Sequence, residues 1–134
     1  MTHQEVKNLQ QELIVLINYL IANKCKNYHV NYGLDRNYEI LTSAVKTIEK
    51  NVSKELIELE TKILDLVKDQ EDKTFQISLL TEEEQLQHAE LFKTYKEFMD
   101  EEDDVKLYFL DPVKTESVEI EYEYFLILKK FLKV

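Results

Sequence analysis

Residues that build tight turns are almost absent from this 134-residue chain, which contains one glycine and one proline. Gly-rich phosphate loops, nucleophile elbows and the many turns of a β-sandwich need several such residues. Their scarcity argues against those architectures and leaves long helices as the expected structure. No Ser or Cys lies in a nucleophile motif with a nearby base. We therefore predict no catalytic residue, no cofactor-binding residue and no enzymatic activity.

The single cysteine, Cys25, cannot form an internal disulfide and lies between Lys24 and Lys26. We interpret it as an incidental thiol of a reducing compartment. No basic segment precedes an apolar stretch at the start of the chain, and no run approaches the roughly 18 apolar residues of a membrane span. The sequence therefore predicts a soluble cytoplasmic protein with no membrane contact.

Negative charge dominates the composition, with 27 Asp and Glu against 17 Lys and Arg and a net charge of −10. Residues 1–50 contain six basic and five acidic groups, whereas residues 51–134 contain eleven basic and twenty-two acidic groups. A field of this sign opposes direct binding of nucleic acid and favours a protein partner with a basic surface. Solubility of an acidic cytoplasmic protein is the alternative explanation.

Apolar residues at spacings of three and four predict a first helix from about Gln4 to Asn23. Residues 24–35 break this pattern and contain the only glycine, Gly33. We expect a structured connection there, with a short extended stretch over residues 30–34, where apolar side chains alternate.

The next segment carries nine apolar residues in steps of three and four, with a four-residue insertion between Val52 and Leu56. This pattern predicts one coiled-coil-like helix from about Arg36 to Lys68, roughly 48 Å long at about 1.5 Å per residue. Such a helix would be longer than a compact domain of this size. We therefore predict a homodimer formed through this row of nine apolar residues, here called the seam. The predicted self-association residues are Tyr38, Leu41, Val45, Ile48, Val52, Leu56, Leu59, Ile63 and Leu66.

A polar linker over residues 69–74 precedes Thr81 and Glu84, which fit a capping box at a helix start. We predict that this helix covers about Glu82 to Met99. Six of the eight residues from 97 to 104 are carboxylates, which is unfavourable at the negative end of a helix and suggests a frayed terminus, a bound cation or a basic partner. The predicted partner-binding residues are Glu97, Asp100, Glu101, Glu102, Asp103, Asp104, Glu119, Glu121 and Glu123.

Apolar residues alternate before the turn Asp111-Pro112 and again after it. We predict a β-hairpin that pairs residues 105–110 with residues 118–124, followed by a short terminal helix. A single helix over residues 118–133 is the alternative.

These elements predict a mainly α fold: a helical bundle or hairpin with one long coiled-coil-like helix, a small C-terminal β-hairpin and a short terminal helix. We expect one domain over residues 1–134. Within it, residues 1–68 would form a helical hairpin and residues 69–134 an acidic α+β part.

His88 lies one helical turn after Glu84, a spacing at which two side chains can share a metal ion. No Cys/His cluster completes such a site. We interpret His88 as an exposed residue on the polar face of its helix and predict no metal-binding residue.

Two pairs of acids at helical spacing suggest an enzyme instead: Glu55 with Glu58, and Glu97 with Asp100. The two tetrads resemble those that hold magnesium in the all-α nucleotide pyrophosphohydrolases, where the metal bridges substrate phosphates and activates water. The glutamate that the family has just before the first tetrad is Lys54 here, and the stretch between the tetrads is longer than expected. In a chain that is one-fifth carboxylate, such pairs also arise by chance.

The order of features resembles a family of short uncharacterised proteins from phages and prophages of Gram-positive bacteria. These features are a leading helix, the connection over residues 28–37, a long helix rich in Ile, Glu and Lys, an acid-ended helix and a terminal Val/Leu-rich segment. In that family a basic residue followed by Asn opens the long helix, as Arg36 and Asn37 would here. The resemblance implies a phage or mobile-element origin and no established activity.

The predicted function is therefore that of a non-catalytic phage or mobile-element protein that acts by protein–protein interaction and self-associates through the long helix. One alternative is an acidic inhibitor that mimics nucleic acid and occupies a basic groove of a host defence nuclease or transcription enzyme. A second alternative is a magnesium-dependent nucleotide pyrophosphohydrolase.

Overall fold

The computed structural model describes residues 1–134 and is mainly helical, with six α-helices and no β-sheet, which confirms the mainly α fold class. Its elements are α1 (His3–Ala22), α2 (Tyr28–Lys50), α3 (Lys54–Val67), a 3₁₀ turn (Ile77–Leu79), α4 (Glu82–Met99), α5 (Pro112–Thr115) and α6 (Tyr122–Lys129). Met1–Thr47 and Glu102–Val134 together form a first compact unit, and Ile48–Glu101 form a second. No helix combines the length and the apolar composition that crossing a membrane requires.

The first helix forms where the apolar spacing predicted it. The Thr2 hydroxyl accepts a hydrogen bond from the Glu5 N–H (3.1 Å), and the Glu5 carboxylate accepts one from the Thr2 N–H (3.0 Å), which completes a capping box. In the first unit α1 packs against α6. Its buried residues form one stripe: Val6, Leu9, Leu13, Leu16 and Leu20.

The expected extended stretch over residues 30–34 is wrong, because α2 already begins at Tyr28. The Asn27 side-chain oxygen accepts from the Val30 N–H (3.1 Å) and satisfies an amide of the first helical turn. Val30 and Leu34 lie one turn apart and are both buried, so the alternation belongs to a helical stripe. The connection between α1 and α2 is limited to residues 23–27.

The predicted continuous helix from Arg36 to Lys68 is also wrong, since residues 51–53 separate α2 from α3. Ser53 adopts φ −58° and ψ 128°, outside the helical region, and its hydroxyl accepts from the Leu56 N–H at 3.5 Å. A serine side chain that bonds to nearby backbone competes with helical hydrogen bonding. The break falls at the four-residue step between Val52 and Leu56, where the seam loses its regular period.

The predicted β-hairpin is absent, because other groups take the backbone of residues 105–110. The buried Asn37 side chain accepts from the Tyr108 N–H (2.7 Å) and donates to the Tyr108 carbonyl (2.7 Å). The Leu110 N–H donates to the Phe131 carbonyl (2.8 Å) and His29 Nε2 accepts from the Asp111 N–H (3.1 Å). These partners use the hydrogen-bonding groups that a second strand would need.

Residues 118–124, the expected second strand, lead into α6 instead, and the alternative single helix over 118–133 is too long, since α6 covers Tyr122–Lys129. The Tyr19 hydroxyl accepts from the Glu121 N–H (3.2 Å), and the Tyr19 ring stacks on Tyr124 with centroids 3.8 Å apart. These contacts from α1 determine where the terminal helix starts.

In the second unit α3 packs on α4 and on the 3₁₀ turn. Leu59, Ile63 and Leu80 are buried together, with Leu91 against them. The capping box predicted from Thr81 and Glu84 is present, and α4 has the predicted bounds.

Candidate functional site

The nine seam residues predicted for self-association are mostly covered by the chain itself. Leu41, Val45, Ile48, Leu56, Leu59 and Ile63 are buried in a single copy. Val52 is half-buried, while Tyr38 and Leu66 are exposed. The six buried positions are therefore core residues, and self-association, which stays a prediction, would have to use other side chains.

The nine acidic residues predicted to bind a partner are exposed with one exception. Asp103 is half-buried, and its carboxylate lies 2.9 Å from His3 Nδ1. Its neighbour Glu102 lies 3.2 Å from the amino group of Met1. Glu97, Asp100 and Glu101 belong to the second unit and the other six to the first, so the structure distributes these residues over both units.

Most of the negative charge lies in the second unit. Residues 48–101 contain fifteen acidic and seven basic side chains, a net charge of −8, whereas the first unit contains twelve acidic and ten basic side chains, a net charge of −2. The acidity that the sequence assigned to residues 51–134 is thus concentrated in the unit formed by α3 and α4. The electrostatic attraction of this chain for positive charge is therefore strongest at this unit.

A groove of about 660 Å³ opens within the second unit. The apolar residues among those that line it are Phe75, Ile77, Ala89 and Phe92, and the polar ones are Glu60, Gln85, His88, Lys93, Lys96, Glu97 and Asp100. Two of the predicted partner-binding acids, Glu97 and Asp100, therefore line a concave surface that also offers aromatic rings. A concave apolar surface with a few polar groups is the usual form of a binding site.

His88 is buried in this groove, and its predicted position on an exposed polar face is wrong. Only 3% of the residue is accessible. Its ring stacks on Phe92 (centroids 5.7 Å apart, planes at 15°) and tilts towards Phe75 (6.1 Å). Nε2 lies 3.4 Å from Glu60 Oε1 but has no hydrogen-bond partner. The i, i+4 spacing of His88 and Phe92 was the available sequence signal for this stack.

Glu84 does not share a site with His88. Both Glu84 carboxylate oxygens accept from Lys62 Nζ, at 2.8 and 2.9 Å, across α3 and α4. The hydrogen bond from Lys62 and that from the Thr81 backbone lower the pKa of the Glu84 carboxyl below its ordinary value. This carboxylate is therefore engaged in joining the two helices.

The two acidic tetrads line different surfaces of the second unit. Glu55 accepts from the Ser53 hydroxyl (2.7 Å), which lowers the pKa of its carboxyl, and Glu58 lines a shallow groove with Ile57 and Lys62. The second tetrad, Glu97 and Asp100, lines the His88 groove. No group of three or more His, Cys, Asp or Glu side chains is placed to hold a metal ion.

A surface around Arg36 in the first unit was not singled out from the sequence. The Arg36 guanidinium donates to the Tyr32 hydroxyl (3.1 Å), which raises its pKa, and lies 5.2 Å from the centre of the Tyr108 ring. Tyr28, which lies one turn before Tyr32 on α2, is 86% exposed. Arginine and tyrosine are enriched at protein interfaces, and the four-residue spacing of positions 28, 32 and 36 was the signal for this surface.

Comparison with known proteins found no family model, no curated protein and no solved structure that matches the chain. The resemblance to phage and prophage proteins therefore stays a prediction, and the function has to be argued from the surfaces described above.

Proposed function

We propose that this protein acts without catalysis, by binding a protein partner that presents a basic surface. The observation that carries the proposal is the concentration of charge in the second unit, at net −8, together with the exposure of Glu97, Asp100 and Glu101 at the end of α4. Attraction between opposite charges accelerates association more than it slows dissociation.

Charge variants of matched net charge test this proposal. The partner is first captured at low salt, identified and purified, and its association rate is then measured. In one variant Glu97, Asp100, Glu101 and Asp104 are changed to the corresponding amides. We expect the association rate at low salt to fall about tenfold and its salt dependence to weaken, with little change in the dissociation rate. Glu102 and Asp103 are left intact because they contact Met1 and His3.

The control variant changes four exposed acids of the second unit, none of them at the end of α4, to amides: Asp65, Asp69, Glu71 and Glu90. It has the same net charge, so general electrostatic attraction is reduced equally while the end of α4 is unchanged. We expect a smaller loss of association rate in this control. Equal losses in both variants, or an unchanged rate in the first, would contradict a binding surface at the end of α4.

The nucleic-acid mimic is a second candidate, and the start of α6 supports it. Tyr122 is 73% exposed and lies between exposed Glu121 and Glu123, so an aromatic ring stands among carboxylates. Stacked rings and regularly spaced negative charges are what a basic nucleic-acid groove recognises. If this candidate is right, duplex or single-stranded DNA will compete with the protein for its partner, and less DNA will be needed to displace the variant Tyr122→Ala than to displace the wild type.

A further inference from the structure

We propose that the groove of the second unit binds an arginine side chain of the partner protein. The inference rests on the proposed function, from which it takes the positive charge of the partner. It adds the pocket that binds the partner and the chemical group, a guanidinium, that enters this pocket. It is drawn from the floor of the groove, where the ring of His88 is buried beside Glu60.

The buried Nε2 of His88 is the first step of the argument. A buried polar atom normally has a hydrogen-bond partner, yet this nitrogen has none, and it belongs to a residue that lines an open groove. Glu60 Oε1 lies 3.4 Å away. A planar group with two parallel N–H donors that lies beside this pair of atoms satisfies both: Nε2 accepts in the tautomer that carries the proton on Nδ1, and the carboxylate accepts next to it.

The side chains that line the groove favour a guanidinium among possible donors. A guanidinium is planar, remains charged and presents five N–H donors in a fixed fork, so it can donate to a ring nitrogen and a carboxylate at once. Its flat face also stacks on aromatic rings, and the groove offers the exposed ring of Phe75 for this contact. An ammonium lacks the planar fork and fits this arrangement less well.

The charges that line the groove favour a cation. Three carboxylates, from Glu60, Glu97 and Asp100, outnumber the two ammonium groups of Lys93 and Lys96. Lys96 Nζ lies 5.0 Å from the centre of the Phe92 ring, so one face of this ring already attracts a cation within the free protein. An incoming arginine would displace or adjoin that ammonium.

Capped amino acids test the inference without the partner protein. The ¹⁵N resonances of the His88 ring are recorded by NMR during titration with N-acetyl-arginine-methylamide. Parallel titrations use the capped lysine and the capped citrulline, which is neutral and nearly isosteric with arginine. We expect a saturable shift of the Nε2 resonance with arginine, at an affinity about tenfold higher than with citrulline. Equal affinities, or no saturable shift with arginine, would overturn the proposal.

A pair of variants on α3 provides the matched control. His88 is buried and its replacement risks unfolding, so the groove is altered at the partly exposed Glu60. We expect Glu60→Gln to weaken arginine binding about tenfold. Glu58→Gln, on the same helix but outside this groove, should leave it unchanged. Wild-type affinity in Glu60→Gln, or equal weakening in both variants, would refute the assigned pocket. Because the four-amide variant leaves Glu60 intact, the basic-partner proposal can survive that failure.

Discussion

Two buried residues of α2, Gly33 and Asn37, meet the segment that precedes α5. Asn37 replaces a strand partner for Tyr108, since its amide makes both of the hydrogen bonds that a neighbouring strand would supply. Gly33 lets the Leu110 side chain lie close to the backbone of α2, because an added Cβ would lie only 2.8 Å from Leu110 Cγ. The glycine in this helix therefore serves packing, since its φ is not in the left-handed region.

Substituting Gly33 sets helix propensity against packing. Alanine in place of a helical glycine gains up to about 1 kcal/mol of intrinsic stability. Overpacking a core commonly costs about 1–3 kcal/mol, and Leu110 is fully buried, so it has little freedom to move away. We expect Gly33→Ala to lower the free energy of unfolding by about 1 kcal/mol in urea titrations. Ser43→Ala, at an exposed position of the same helix, is the control and should be neutral or slightly stabilising. If Gly33→Ala raised the free energy of unfolding, the Leu110 side chain would have to move and make room for the added methyl group.

At the scale of the helices, side-chain caps mark where α1, α2, α3 and α4 begin. Thr2, Ser53 and Thr81 each accept an amide hydrogen of the first turn that follows, and Asn27 does the same for α2. The start of α4 differs from the others because Glu84 also accepts from Lys62 of α3. One carboxylate thus closes a capping box and joins two helices.

The lowered pKa of Glu84 predicts a specific dependence of stability on pH. The folded state binds the proton of the Glu84 carboxyl group more weakly than the unfolded chain does. At pH values between the two pKa values the unfolded chain therefore binds more protons, and stability rises with pH. The contribution is fully present above the unfolded-state pKa of about 4.3 and is lost as pH falls through the lower folded-state pKa. We expect urea midpoints measured across this range to show a smaller pH slope in Glu84→Gln than in the wild type. Glu83→Gln, at the neighbouring exposed position, should keep the wild-type slope.

At the scale of the molecule, burial decides which surfaces remain for assembly. The seam predicted to join two copies is mostly core, so a dimer has to use apolar side chains that a single copy leaves exposed. Ile57 and Leu64 are such residues, 48% and 55% exposed and seven positions apart on α3. This spacing places both on one face of the helix.

We predict that the chain self-associates at high micromolar concentration, through this face of α3. Sedimentation velocity should show a dimer for the wild type and a monomer for the variant Ile57→Lys, Leu64→Lys, with unchanged helical content. Leu59→Ala, at a buried seam position, should instead lower stability by about 2–5 kcal/mol. A wild-type protein that sediments as a monomer at these concentrations would contradict the dimer.

We also predict that the protein does not cleave nucleoside triphosphates. Glu58 of the first tetrad and both acids of the second line separate grooves, and no group of three or more acidic, His or Cys side chains is placed to hold a metal ion. Incubation with magnesium and each triphosphate should release no pyrophosphate above the buffer control. Cleavage by the wild type that Glu58→Ala abolishes would replace the binding function with the pyrophosphohydrolase.

Local patterns in the sequence determined the helical class, the extents of α1 and α4 and the capping box at Thr81, because apolar period and caps involve residues within one or two turns. The partner of each apolar stripe depended on the tertiary structure. Six seam residues are buried within their own chain. The Tyr108 backbone is hydrogen-bonded to Asn37, 71 positions away, and His88 lies beside Phe75 and Glu60. The alternation of residues 105–110 is equally compatible with a strand and with this arrangement. Only the tertiary structure decided between the strand and this arrangement, because backbone groups form hydrogen bonds with whichever partner packing brings close.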